Sequence, residues 1–404
     1  MAKFSYKARR DDGTLVEEVK ESTDRFALAR EMRAEGLTLI SAVPLLEKKE
    51  NKWSPLALIN QVKLKDKILF ANSLSSMISA GLSLARALSV IERQTENKKF
   101  KEILHAILEK VKNGESFSNA LGAFPNVFPP VFVAMVGAGE ESGNLPGSLQ
   151  VVGDQMQKSY DLRRKVRGAM LYPTIIIVVI IIIAILMMIF LVPNITSLFK
   201  ELNAELPLST RIVIFTSDFL VAHTFIFLLG LFILVFGVIR LLRTDTGRHV
   251  VARVMLRLPV ISKIVKEVNS AVTMRTLSSL LASGVAMVES VNITRRVVQN
   301  PYYQEALAVA SVEVEKGKVL SEFFKEHEKI YPILVAELAE VGEETGNLTG
   351  MLLKGATLYE EEVNQATKNL STIIEPVLMV LIGVAVGFFA VSMIGPIYSL
   401  SEAF

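Results

Sequence analysis

The chain has 404 residues, a net charge of +3 and a hydrophobic share of 51%. A share this high directs attention to membrane segments first, and a charge balance this even does not suggest a nucleic-acid partner. No cysteine is present, which excludes disulfides, zinc–thiolate sites and cysteine nucleophiles.

Residues 1–46 are predicted to form a small cytoplasmic α+β module. Asp12-Gly13 is a turn signal between two strand-like runs and predicts a β-hairpin. Residues 23–35 suit a helix, and residues 37–43 suit a strand. The N-terminus lacks the apolar core of a signal peptide, so we expect it to stay in the cytoplasm. The polar stretch 47–55 predicts a linker, which is taken to span residues 47–62.

Two helical bundles are predicted, at 63–170 and 243–372. In residues 98–113 the apolar positions recur at the spacing of an amphipathic helix. Similar signals predict about six helices in each bundle. The fold class is therefore mainly α, with a small α+β module at the N-terminus.

Three transmembrane helices are predicted, at 171–192, 219–242 and 373–394. The first contains no charged residue and is long enough to cross a bilayer. In the third, Gly383 and Gly387 form a small-xxx-small face, which suits either packing against another helix or exposure to lipid.

Three residues at the membrane entrances are candidates for a functional contact. Pro173 precedes the apolar run of the first span, and Glu375 and Pro376 precede that of the third. Glu375 suits either a functional contact or a place among the lipid headgroups.

Basic residues before the first span and after the second predict the orientation of the chain. The N-terminus and both bundles are expected in the cytoplasm. The loop 193–218 and the tail 395–404 are expected on the external, periplasmic side of a bacterial inner membrane.

The sequence contains an internal repeat. Residues 139–145 read GEESGNL, and residues 342–348 read GEETGNL, 203 residues later. The same offset relates Gly81 to Gly284 and Pro173 to Pro376 without a gap. We interpret this as a tandem duplication of one bundle plus one span. The second span then returns the chain, so that both bundles face the same side.

The two acidic turns predict hinges between helices. Gly143 suits a left-handed conformation and Asn144 suits a helix cap, and Gly346 and Asn347 repeat the pattern. Four glutamates are not explained by a hinge; they suit a solvated turn, a partner contact or a cation site. They are Glu140, Glu141, Glu343 and Glu344. Glu140 and Glu141 are the candidates for a metal ligand, although one turn supplies too few oxygens for a full calcium shell.

Sequence motifs for catalysis are missing. There is no phosphate loop, nucleophile elbow or zinc-protease motif, and the four histidines are not at metal-ligand spacing. We therefore expect no enzyme, no catalytic residue and no cofactor. The apolar spans also argue against a transporter, because a substrate path needs polar groups within the membrane.

The combination of features resembles the GspF/PilC family, the inner-membrane platform proteins of type II secretion and type IV pilus systems. The resemblance rests on both acidic turns, on LSSMISAGLSLARAL (74–88) and TLSSLLASGVAMVES (276–290), on IIEP (373–376) and on ELPLSTR (205–211). It covers essentially the whole chain.

The resemblance implies a homo-oligomeric platform that links a cytoplasmic hexameric assembly ATPase to pilins or pseudopilins, beside other inner-membrane assembly proteins. It also implies calcium on the first bundle as a possibility, without fixing its ligands. Two alternatives from other classes are a transporter or channel subunit and a membrane-bound signalling adaptor.

Overall fold

The computed structural model describes residues 2–10, 15–22, 33, 37–45, 61–194, 196 and 208–401. It divides the chain into two compact units, 1–61 and 62–404, which are described separately. The expected turn at Asp12-Gly13, most of the expected linker and, apart from the helical residue Arg33, the expected helix 23–35 lie outside the described residues.

The N-terminal unit contains a three-stranded antiparallel sheet. Its strands are β1 (Ala2–Arg10), β2 (Leu15–Ser22) and β3 (Leu37–Leu45), in the order β2-β1-β3. The central strand pairs Ala2 with Ser22 on one side and Lys3 with Leu45 on the other. The predicted hairpin strands and the third strand are confirmed.

Six helices form the first bundle, as predicted. They are α1 (Leu64–Ser79), α2 (Leu84–Gln94), α3 (Lys98–Lys112), α4 (Phe117–Gly122), α5 (Pro130–Glu141) and α6 (Leu145–Leu186). Phe70, Phe100, Phe128 and Phe132 lie in contact at its centre and are fully buried. Burial of these rings supplies much of the hydrophobic stabilisation of the bundle.

The second bundle repeats this order. After α7 (Leu208–Ala222), α8 (Thr224–Arg243) and α9 (Asp245–Arg257), its helices are α10 (Pro259–Ala282), α11 (Met287–Val297), α12 (Pro301–Glu315), α13 (Leu320–Glu326), α14 (Ile333–Glu344) and α15 (Leu348–Ser401). Tyr303 and Tyr331 meet edge to face in its core, and the Tyr303 hydroxyl donates to the carbonyl of Ile330.

Glycines with positive φ mark the repeat in the backbone itself. Six are found in the described residues, and they form three pairs at the 203-residue offset: Gly81 and Gly284, Gly114 and Gly317, Gly143 and Gly346. Within each pair the φ angles differ by only a few degrees. Each glycine ends a helix in a left-handed conformation that other residues rarely adopt.

Among the described residues, three helices are long and apolar enough to cross a membrane. The first is α6, which runs unbroken from the first bundle and continues as a π-helical turn, Met187–Leu191. The second is α8, and the third is the membrane part of α15. The expected loop 193–218 contains the start of α7, and the helix break at His223 divides the expected span 219–242. Helix α15 also continues through the expected tail as far as Ser401.

The two bundles pack directly against each other. Leu280 and Ile293 of the second bundle belong to the core of the first, and Leu162 of α6 belongs to the core of the second. Between them the buried Gln155 amide donates to Thr276 Oγ1 at 3.0 Å and accepts from Ser279 Oγ at 3.3 Å. A buried polar side chain satisfied on both sides fixes the relative position of the two bundles.

Candidate functional site

The first acidic turn joins α5 to α6 as a tight hinge. Gly143 has φ +72°, and the Asn144 side-chain oxygen accepts from the backbone N–H of Gly147 at 3.2 Å. The Ser142 hydroxyl donates to the carbonyl of Ala138 at 2.7 Å. The expected left-handed glycine and asparagine cap are therefore both present.

The second turn has the same geometry. Gly346 has φ +69°, and Asn347 accepts from the N–H of Gly350 at 3.2 Å. Thr345 donates to the carbonyl of Val341 at 2.6 Å. The two motifs differ only at Ser142 and Thr345. Each of these hydroxyls donates to the backbone carbonyl four residues earlier.

The glycine that opens each motif is required by close packing, which sequence reasoning missed. A Cβ at Gly342 would lie 2.7 Å from the Cα of Leu348, and one at Gly139 would overlap the Ser148 side chain. Real Cβ atoms do not approach other atoms so closely. The turn therefore folds back against the helix that precedes it, and only glycine leaves the necessary space.

Glu140, near the end of α5, caps the N-terminus of the preceding helix, α4. Its two carboxylate oxygens accept from the backbone N–H of Phe117 at 2.6 Å and of Ser118 at 3.0 Å, and the Ser118 hydroxyl adds a third bond at 2.8 Å. These amides form the first turn of α4, where no helical carbonyl is available to them. A negative charge at a helix N-terminus is favourable as well.

Glu343 does the same in the second bundle. It accepts from the backbone N–H of Leu320 at 2.6 Å and of Ser321 at 3.2 Å, at the start of α13. Residues 320 and 321 are the repeat partners of Phe117 and Ser118. The first glutamate of each pair therefore ties the hinge to a short helix of its own bundle.

The second glutamate of each pair, Glu141 or Glu344, is exposed. The described residues contain no group of three or more histidine or acidic side chains arranged for a metal ion. Both oxygens of Glu140 already face N–H donors, whose positive ends disfavour a cation beside them. Calcium at Glu140 or Glu141 stays a prediction, and the exposed glutamates stay candidates for a partner contact.

The membrane-entrance candidates lie inside long helices. Pro173 is buried within α6, and Pro376 is exposed within α15, next to the exposed Glu375. Gly383 and Gly387 are exposed too, and a Cβ at either would meet no atom within 4 Å. Within the described chain no helix covers these two glycines. Their face is therefore free to contact either lipid or a helix of a second protein.

Three charged residues in the second bundle have uncharged repeat partners in the first; they are Arg275, Glu360 and Glu267. Arg275 forms an ion pair with Glu360 and also donates to Thr357 at 3.2 Å. Glu267 is 2% exposed, and the Lys263 ammonium lies 3.7 Å from its Oε1, beyond hydrogen-bond distance. Burial and the neighbouring Glu362 carboxylate raise the pKa of Glu267 to about 7.

Comparisons with known proteins match the duplicated architecture. A family model described as type II secretion system (T2SS), protein F matches residues 70–193 and again residues 273–396. The two matches begin 203 residues apart and end 203 residues apart, which is the offset that relates the two acidic turns.

Relatives from two kinds of system align along nearly the whole chain. A type IV pilus assembly protein PilC of Thermus thermophilus is 36% identical over 400 residues, covering 99% of this chain and 98% of the relative. PilC of Pseudomonas aeruginosa is 32% identical, covering 85% and 91%. A type II secretion system protein F of Vibrio cholerae is 28% identical, covering 100% and 99%.

The fold and its apolar helices define an integral membrane protein built from a duplicated helical bundle. The family model covers more than half of the chain, and its two copies coincide with the two bundles and the spans that follow them. The chain belongs to the type II secretion system protein F family, as its resemblance to GspF/PilC proteins predicted.

Proposed function

We propose that this chain is the inner-membrane platform of a type IV pilus or type II secretion machine. It performs no catalysis itself: a cytoplasmic hexameric ATPase supplies the energy, and pilins or pseudopilins are the subunits moved. Full-length relatives named for pilus assembly and for type II secretion support this role. Both kinds of relative align, so the proposal covers both systems.

The observation that carries the proposal is the continuity of α6. It begins at the hinge, contributes Leu162 to the core of the second bundle and runs on into the membrane without a break. A helix is stiff over this length, so a displacement of the bundles is transmitted to the span. Helix α15 makes the same connection for the second repeat.

The proposed orientation places both bundles in the cytoplasm, where an ATPase can reach them. It follows from the basic residues before the first span and after the second. Homo-oligomerisation is part of the proposal, and the open face at Gly383 and Gly387 is suited to contact with a neighbouring copy.

The exposed glutamates beside the hinges are the proposed ATPase contacts. Because Glu141 and Glu344 are exposed beside the turns, their charge can be reversed without disturbing the caps at Glu140 and Glu343. The double variant E141K/E344K in the full chain is expected to weaken ATPase binding at least severalfold, since reversed charges repel across an interface.

The matched control is E102K/E315K, which reverses two exposed glutamates on other helices of the same bundles. Binding of the ATPase to nanodisc-embedded protein should be lowered by the first variant and not by the second. Equal binding by all three proteins would refute the contact surface. Failure of the unmodified chain to bind the ATPase would refute the function itself.

A further inference from the structure

An amphipathic cavity lies between the two repeats, beside the part of α6 that leads into its apolar stretch. Its volume is about 220 Å³, and its polar lining includes Arg163 and Arg167 of α6. Five valines supply most of the apolar wall, among them Val268 and Val272 of α10. At roughly 30 Å³ for each water molecule, the space admits a group of several heavy atoms.

The two arginines have no partner of opposite charge. Neither guanidinium takes part in an ion pair or hydrogen bond within the described residues, and no acidic side chain lines the cavity. Arg275, which also lies between helices, is by contrast paired with Glu360. Two adjacent cations beside an apolar wall favour binding of an anion that brings apolar surface with it.

The position of the cavity fits the headgroup layer of a bilayer. Met170 begins a series of large apolar side chains that stay exposed along α6 and the π-helical turn after it, as far as Leu191. At 1.5 Å per residue, Arg167 lies about 5 Å and Arg163 about 10 Å before that boundary. The headgroup layer is itself roughly 5–8 Å thick on each side of the hydrocarbon core, so the backbone of Arg167 falls within it. The backbone of Arg163 lies just beyond it, within reach of the layer for a long arginine side chain.

A third arginine, close to the end of the second span, contacts a residue of the cavity lining without lining the cavity itself. Arg248 follows α8 in the chain and donates from its guanidinium to the carbonyl oxygen of Gln299 at 3.4 Å. Gln299 lines the cavity. Basic residues that adjoin two different spans therefore lie in or next to the same cavity.

We propose that this cavity binds the phosphate group of an anionic phospholipid, with Arg163 and Arg167 on the phosphate and the valines along the lipid's apolar part. Basic pockets between membrane-adjacent helices are suited to such headgroups. The bound lipid would join α6 to α10 and so stabilise the contact between the repeats at the point where α6 enters the membrane.

The test is a lipid titration of the detergent-solubilised full chain, read by native mass spectrometry. Phosphatidylglycerol and phosphatidylcholine are added separately to the wild type and to R163Q/R167Q. We expect the wild type to bind phosphatidylglycerol about thirtyfold more tightly than phosphatidylcholine, and the variant to lose most of that preference. Affinity for phosphatidylcholine should not change.

The matched control is R164Q/K165Q, which removes the same charge from the same helix. Arg164 and Lys165 line a different cavity that also contains Asp161 and Glu360, so carboxylates already offset their charge. R164Q/K165Q should keep most of the wild-type preference for phosphatidylglycerol over phosphatidylcholine. Equal losses in both variants would show diffuse surface charge and overturn the proposal, as would wild-type affinity in R163Q/R167Q.

Three further measurements separate the remaining outcomes. R163K/R167K keeps the charge but not the forked donors, and it should retain an intermediate affinity in a folded protein. Glycerol 3-phosphate tests a free phosphate as the ligand: competition at concentrations similar to those of phosphatidylglycerol would overturn the lipid assignment. Displacement of the lipid by an acidic peptide at equal concentration would do so too.

Discussion

Glu140 accepts a hydrogen bond from the backbone N–H of Phe117 at 2.6 Å, and the two residues are 23 positions apart in the chain. Glu343 repeats the contact with Leu320 at the same distance. The acidic turn is therefore both a hinge and a clamp. The hinge connects α5 to the helix that enters the membrane, and the clamp fixes that hinge to the short helix α4.

The clamp predicts that the two glutamates of one turn respond differently to substitution. E140A leaves the first-turn amides of α4 without an acceptor and should lower the free energy of unfolding by about 1–2 kcal/mol. E141A removes only an exposed side chain and should change it by less than about 0.5 kcal/mol. Thermal unfolding of the detergent-solubilised chain measures both. Equal effects of the two variants would contradict the clamp.

The hinge predicts opposite effects of alanine at two glycines. At Gly143 φ is +72° and the space around a Cβ is open, so G143A should cost about 1–2 kcal/mol from backbone strain alone. At Gly168, inside α6 and equally open, alanine should stabilise the helix by up to about 1 kcal/mol. The same unfolding measurement compares them, and a destabilising G168A with a neutral G143A would refute this assignment.

Burial of Glu267 predicts a pH-dependent stability. Its pKa is raised from an ordinary value near 4.5 to about 7, so between these values the folded state holds a proton that the unfolded chain releases. Stability should therefore fall as pH rises through that window, by up to about 3 kcal/mol, and then level off.

E267Q should remove this dependence because glutamine stays neutral. The variant should match the wild type near pH 5 and exceed it in apparent Tm near pH 8. The exposed Glu315 provides a control, E315Q, whose pH profile should follow that of the wild type. Parallel profiles for E267Q and the wild type would contradict a raised pKa at Glu267.

Topology can be tested with single cysteines, since the chain has none of its own. S209C, before the second span, should react only with a reagent applied from outside. E315C, on an exposed position of the second bundle, should react only after the membrane is made permeable. Position 315 is preferred to the nearby Gly317 for the cysteine, because Gly317 has a φ of +91° that a cysteine would rarely adopt. Labelling of position 209 only from the cytoplasmic side would reverse the orientation.

Local signals in the sequence predicted most of the fold. Glycines at helix ends, helical spacing and the 203-residue repeat predicted about six helices in each bundle and the turns at Asn144 and Asn347. These features depend on residues a few positions apart, or on a repeat that compares the chain with itself.

Contacts between distant residues could not be predicted in the same way. The cap by Glu140 joins positions 23 apart, and the Gln155–Thr276 bond joins positions 121 apart. The need for glycine at 139 depends on how closely α6 folds back on α5. Burial of Glu267 depends on α15, which follows it by about a hundred residues. Each requires the tertiary packing, which no local pattern contains.

The most direct test of the central claim is retention of the assembly ATPase by the full chain in nanodiscs, combined with deletion of its gene. The proposed platform role predicts that the embedded chain retains the ATPase and that deletion abolishes pili or secretion. If the embedded chain does not retain the ATPase, and the deletion strain still forms fibres and secretes, the account is contradicted.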